Sequence, residues 1–185
     1  TRTVVVMREI AGNTSNPGAL DLSLAMNTIN EIGETINASM GVEQVYHALL
    51  TIVMKAIPAH AGEICIWDEA HKHLSPLGWS GDSAYLIKLQ EVGGSYRLGE
   101  GISGWIAQYH KAALVSNVAD GTAIQPKLGE FYRSYVGVPL LLGARLIGTL
   151  ELANTQPNTF GQAHLALLQA VSKQVAISIY NTELY

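Results

Sequence analysis

The stretch from Gly99 to Asn154 limits the fold most, because three differently patterned pieces follow one another there at short spacing. Gly99, Gly101 and Gly104 lead into an apolar stretch ending at Tyr109, which predicts a tight turn opening a short helix over 102–109. Ala113 to Ser116 predicts a strand that runs into a polar loop carrying Asn117 and Asp120. Val136 to Leu142 and Leu146 to Ala153 are apolar runs joined across Gly143, Ala144 and Arg145, the pattern of an antiparallel hairpin.

The flanks add helices and further strands. Asp21 is placed as an N-cap, and Leu22, Met26, Ile29, Gly33 and Ile36 form a narrow stripe on a helix reaching about Ala38. A second helix spans Val42 to Ile57, stopped by Pro58, with Val45, Leu49, Ile52, Val53 and Ala56 inward. Strands are expected at Glu63 to Asp68, Leu74 to Trp79 and, briefly, Ser95 to Leu98; Ser83 to Val92 reads equally as a short helix or an irregular crossing. The last element is a long amphipathic helix from Gln162, with Leu165, Leu168, Val171, Val175 and Ile179 on one face. The order α-α-β-β-β-α-β-(α)-β-β-α implies an α+β fold with a central antiparallel sheet of about six strands. The N- and C-terminal helices would cover one face, and the short segments would enclose a pocket on the other.

Composition narrows the function classes. Charged residues are only 14% of 185 and apolar residues 48%, so much of the surface is neutral or apolar, as suits an oligomer or part of a larger protein. The net charge is −4 and no Lys/Arg cluster occurs, which argues against direct nucleic-acid binding. The single cysteine, Cys65, excludes an intramolecular disulfide and a Cys-rich metal site. With no signal-peptide pattern and no apolar run of spanning length, the expected setting is cytoplasmic, without direct membrane insertion. The Asn-x-Ser triplets at Asn13 and Asn37 then carry no weight.

In the order and spacing of its pieces, the run from Gly99 to Asn154 resembles the GAF domain, a small-molecule-sensing and dimerisation module, and the resemblance extends over about Leu22 to Leu184. It implies a GAF/PAS-like sheet with a ligand pocket beneath the crossing segments. By family position the pocket candidates are Trp79, Tyr85, Trp105, Tyr109, Asn117, Asp120, Tyr132, Ser134 and Glu151. Aromatic rings would stack on a flat ligand and the polar groups would orient it; the competing explanation is that Trp79 and Trp105 are plain core. The resemblance also implies a homodimer through the N- and C-terminal helices, with charge at Leu168 or Val175 expected to weaken it. The division this implies is a strand and linker over residues 1–20 and a GAF-like domain over 21–185. The strand at Thr3 to Ile10 either faintly resembles the tail of a preceding PAS domain or folds back onto this one.

Sharper motifs within and beyond the family are incomplete. Gly99-x-Gly101-x-x-Gly104 has dinucleotide-fingerprint spacing, but Ser95 to Leu98 is short and polar and the helix after it has about two turns, so no Rossmann unit is predicted. Those glycines would either present free helix N–H groups to a pocket anion or carbonyl, or serve as a structural turn. Cyclic-nucleotide binders of the family carry Asn-Lys, then Phe, then Asp-Glu; here Asn154 and Phe160 stand without the Lys or the acids. Bilin attachment and methionine sulfoxide reduction need cysteine arrangements that Cys65 cannot supply alone, and Cys65 is expected as a buried apolar filler. His71 and His73 share an exposed turn without a third ligand, so no metal is expected. Heme on one axial His remains open, with His110 the choice, and the cofactor is unknown.

The expected function is a regulatory small-molecule sensor and dimerisation domain of a cytoplasmic signalling protein, of the two-component type. It would be non-catalytic itself and would pass ligand state to an output such as a histidine kinase or nucleotide cyclase through its C-terminal helix. The alternative is a ligand-free structural module whose pocket is filled by Trp79, Trp105 and Tyr132.

Overall fold

The computed structural model describes residues 4–6 (as backbone), 21–37, 39–81, 87, 91, 94–121, 124–127 and 131–184. Its elements are β1 (Val4–Val6), α1 (Leu22–Thr35), α2 (Val42–Ala56), β2 (Ala61–Asp68), β3 (His73–Gly81), β4 (Tyr96–Arg97), α3 (Gly101–Tyr109), β5 (Ala113–Val115), a 3-10 turn (Val118–Asp120), β6 (Ser134–Leu142), β7 (Arg145–Asn154) and α4 (Gln162–Glu183). The segment 83–92, read two ways from the sequence, lies almost wholly outside the described residues.

Strands β2 to β7 form a six-stranded antiparallel sheet, and β1 adds to its edge in parallel with β5. The spatial order is β1-β5-β6-β7-β2-β3-β4, so the two longest hairpins, β6/β7 and β2/β3, meet at the centre along β7 and β2. The β6/β7 turn closes tightly, with Leu142 opposite Arg145 and Gly143 in the left-handed region at φ 61°. The expected α+β architecture is therefore present.

Alternation along the strands decides what each face holds. Ile64 on β2, Val136, Val138 and Leu140 on β6, and Leu150 and Leu152 on β7 share a buried apolar cluster with α1, α2 and α4. The intervening residues, among them Ala61, Tyr135 and Ala153, pack on the opposite side with Ile102 and Ile106 of α3. Helix α2 lies close on the sheet: a Cβ added to Gly78 would sit 2.6 Å from the Tyr46 Cβ. The Tyr46 hydroxyl in turn donates to Glu183 at the end of α4.

Two expectations about the helices need correction. On α1 the residues turned inward are Ala25, Thr28 and Ile32, so the stripe read from the sequence is rotated: Ile29 and Ile36 are half-buried, while Leu22, Met26 and Gly33 are exposed. The reason is that α1 packs on helices α2 and α4 rather than on the sheet. On α4 the whole expected face is buried, and Leu168 and Val175 are fully inaccessible within one chain. They are core positions, not places to probe a dimer contact.

Candidate functional site

Strands β2 and β7 pair with Glu63 directly opposite Glu151. Directly paired residues point to the same side, with Cβ atoms roughly 5 Å apart, so two carboxyl groups are placed side by side on the α3 face. Glu63 is 2% exposed and Glu151 is half-buried by whole-residue exposure, with its carboxyl end enclosed. They line a small cavity together with Ala61, Gly62, Tyr96, Ile102, Lys127, Tyr132, Tyr135 and Ala153. Its free space is about 20 Å³, enough for one water molecule.

A short network holds the acids. The hydroxyl of Ser103 donates to Glu151 Oε2 at 3.1 Å, and the Ser103 amide donates to the same carboxyl. The Cys65 thiol donates to Glu63 Oε1 at 3.2 Å and lies 3.8 Å from the Ser103 hydroxyl, and the Tyr96 hydroxyl also bonds Glu63. Burial and the neighbouring Glu63 push the Glu151 carboxyl up to about 8, against the opposing effect of the Ser103 donors. Burial and then Glu63 raise the Cys65 thiol well above its ordinary value, away from a reactive thiolate. Tyr135 is shifted upward by burial and by Glu151. At the cavity rim Lys127 is held by the Ser95 carbonyl at 2.8 Å and by Glu100 at 3.3 Å, with its ammonium 4.3 Å from the centre of the Tyr96 ring.

The three glycines build the wall above the acids. Gly99 and Gly101 take φ values of 81° and 65°, which a side chain would strain. A Cβ on Gly104 would lie 2.2 Å from the Arg97 carbonyl oxygen, so α3 can approach β4 only as glycine there. Of the two readings of this motif, the free N–H at the third helical position is used by Glu151, a carboxylate from the protein's own sheet.

Of the residues expected at the pocket, Tyr132 and Glu151 line the cavity. Tyr85 lies outside the described residues. Trp79 sits across from Glu63 on β3 but is 43% exposed, and Tyr109, its ring tilted 50° against that of Trp105 at 5.1 Å, is 50% exposed. Trp105 packs partly buried against the α3-side cluster and does not line the cavity. Asn117 accepts from the Ala119 amide and the Arg133 guanidinium and donates to Asp120, so both polar residues fasten their own loop. Ser134 donates to the Gln156 carbonyl at 2.7 Å. The collapsed-pocket alternative therefore finds only Tyr132 of its three fillers in place.

Glu63, Tyr96, Ser103 and Tyr135 were missed. A lone acid inside each of two apolar strands was the available signal, but only the β2/β7 register brings the two together. Cys65 is buried as expected, yet in polar contact rather than as apolar filler. His110 ends α3 in the left-handed conformation (φ 51°) and is exposed; it lines a separate, wider surface pocket with Lys111, Pro139 and Lys173 and not the acid-lined cavity. His71 bonds Asp68 at 2.7 Å, and among the described residues no group of three or more metal-ligating side chains occurs. Asn154 and Phe160, the surviving parts of the cyclic-nucleotide pattern, serve local structure: Asn154 accepts from the Gln156 amide, and Phe160 is buried against His164. No helix among the described residues is long and apolar enough to cross a membrane.

The fold has many solved counterparts. The GAF domain of an Acinetobacter phosphoenolpyruvate-protein phosphotransferase aligns with a TM-score of 0.71 at 21% identity, over 87% of this chain and 96% of that one. Free methionine-R-sulfoxide reductase from Neisseria meningitidis, in complex with its substrate, aligns with a TM-score of 0.72 at 15% identity, over 96% and 99% of the two chains. The A. Aeolicus nlh2 GAF domain, solved in an inactive state, aligns with a TM-score of 0.68 at 15% identity, over 86% of this chain and 97% of that one. At these identities the likeness concerns the fold alone. The comparison with curated proteins gives no match. The family model described as GAF domain matches residues 39–179, most of the chain, and the protein belongs to the GAF domain family.

Proposed function

We propose that this chain is a regulatory domain that senses a small molecule in the cavity under α3 and passes ligand state on through α4. The observation that carries this reading is the cavity's chemistry. Two carboxyl groups, a serine and three tyrosines converge on the sheet face opposite the apolar helix layer. A purely structural interior would gain stability from apolar residues there. A ligand that favours one packing of α3 over the sheet shifts that equilibrium, and β6 and β7 connect the cavity floor to α4 on the reverse side.

The wider setting belongs to the same proposal: a cytoplasmic signalling protein, with 21–185 as the sensing unit and a homodimer built on the terminal helices. Exposed Leu22 and Met26 on α1 support the dimer, because they are large apolar groups that the chain itself leaves uncovered. The domain is proposed to be non-catalytic. Some proteins of this fold reduce methionine sulfoxide, but the one thiol here is buried and held protonated.

The free space of about 20 Å³ favours a second reading, a ligand-free structural and dimerisation module. Native mass spectrometry of the purified chain separates them. A small-molecule mass that leaves on denaturation is expected for a sensor; a bare chain that also shows no thermal shift across a metabolite panel contradicts it.

A further inference from the structure

The chain uses its lysines in two ways. Lys55, Lys72 and Lys127 each pair with a glutamate, respectively Glu31, Glu69 and Glu100. Lys111 and Lys173 make no ion pair or hydrogen bond among the described residues, and both line one surface pocket of about 450 Å³. His110 joins them there, and none of the described residues lining it is an Asp or Glu. Cationic groups gathered without a countercharge stand out in a chain of net charge −4.

Separate elements supply these groups. His110 leaves α3 in the left-handed conformation and Lys111 follows it on the way into β5. A helix C-terminus favours cations, which accounts for those two without any ligand. It does not account for Lys173, which stands in the middle of α4 and is the only Lys, Arg, Asp or Glu of that helix before Glu183. One turn away on either side of it lie Gln169, Ala170, Ala176 and Ile177, so its own helix offers no countercharge. The remaining wall is apolar and comes from Val138, Pro139 and Leu141 of β6. The β5 register on β6 ends at Gly137, just short of them. Pro139 has no N–H to offer an added strand, so side chains rather than the sheet edge define what can bind.

We propose that this pocket binds a small organic phosphate, a phosphomonoester whose dianion is held by Lys111, Lys173 and His110 and whose carbon body lies on the β6 wall. The free volume falls within the roughly 300–1,000 Å³ of small-ligand sites. Two ammonium groups balance the charge that a phosphomonoester carries near neutral pH, and its terminal oxygens accept from all three side chains. Lysine serves phosphate as a point charge, whereas a planar carboxylate is matched best by the arginine fork, and no arginine is among the described lining residues. The pocket shares no lining residue with the acid-lined cavity, so the assignment goes beyond the sensing reading and does not depend on it. Through Lys173 it would bring a second ligand directly onto α4.

The test is an NMR titration of the whole labelled chain at pH 8 and constant ionic strength, because exposed ion pairs are screened by salt. The probes are propyl phosphate, inorganic phosphate, butanoate and propan-1-ol. Propyl phosphate is expected to shift the amides around Lys111, Leu141 and Lys173 in a saturable manner and to bind more tightly than the other three. Lys111→Met and Lys173→Met are each expected to weaken it about fivefold to tenfold, as for loss of one partly exposed charge contact. Lys173→Arg, which keeps the charge, is expected to retain binding, and thermal melts check that each variant is folded. Saturable binding of butanoate in preference to propyl phosphate would overturn the phosphate assignment. Inorganic phosphate binding as tightly as propyl phosphate would overturn the role of the β6 wall and with it the organic ligand. Unchanged affinity in both methionine variants, or no saturable shift from any anion, would show that the lysines form no site.

Discussion

On β7, Leu150 and Leu152 point into the three-helix layer, while Glu151 between them points under α3. On β2, Gly62 and Ile64 meet α2 and its neighbours while Glu63 and Cys65 turn to the α3 side, Glu63 into the cavity. The same strands thus build two interiors. The helix side is continuous hydrocarbon from α1 through α4, and its buried Thr28 returns its hydroxyl to the Leu24 carbonyl of its own helix. The α3 side holds paired acids, Ser103, Thr149 and tyrosine hydroxyls around a small cavity. Strand periodicity makes this division possible: one side can carry stability while the other carries polar chemistry that costs stability.

The two sides should therefore respond oppositely to substitution. The largest effect is expected for Leu168→Asp on α4, which places an unpaired charge in the hydrocarbon side and removes the cooperative unfolding transition followed by circular dichroism. Leu150→Ala should retain the fold but lower unfolding free energy in urea by about 2–5 kcal/mol. A loss near zero would mean that the helix side is not the stabilising half.

The acid pair gives the opposite sign. Because the folded-state affinity of Glu151 for its proton is raised, the native state holds that proton over a range where the unfolded chain has released it. Its contribution is intact below the unfolded carboxyl range, falls as pH rises from about 4.5 towards about 8, and is level above that. The expected loss across this window is on the order of a few kcal/mol, and Glu151→Gln should flatten it in urea melts at pH 5 and pH 8. The smallest effect is reserved for Asn117→Ala, a loss of about 1 kcal/mol from the cap of the 3-10 turn. Because Asn117 fastens its loop outside the cavity, this variant should leave ligand response unchanged.

What the sequence revealed follows the same division. Apolar periodicity located the strands and helices to within a few residues, because Pro58 ends α2, Gly143 turns the hairpin and Leu165 to Ile179 mark one helix face. It misjudged the face of α1, whose partners are other helices, so that Met26 turned outward. The cavity was less legible. Tyr132 and Glu151 follow from family position, but Glu63 acquires its role only by pairing with a strand almost ninety positions later. Asn117 and Ser134 have the right chemistry for a ligand and spend it on local backbone and side-chain partners. No spacing rule within a segment could have distinguished those polar residues from the ones that reach the cavity.

The most direct test of this division is the unfolding free energy of the Glu63→Gln/Glu151→Gln double variant against the parent at pH 8. If the acids are held at a cost for binding, the double variant unfolds at higher urea concentration with an unchanged slope. If it unfolds at lower urea concentration, the acids are structural members of the Ser103, Cys65 and Tyr96 network, and the α3 side is a second stabilising core.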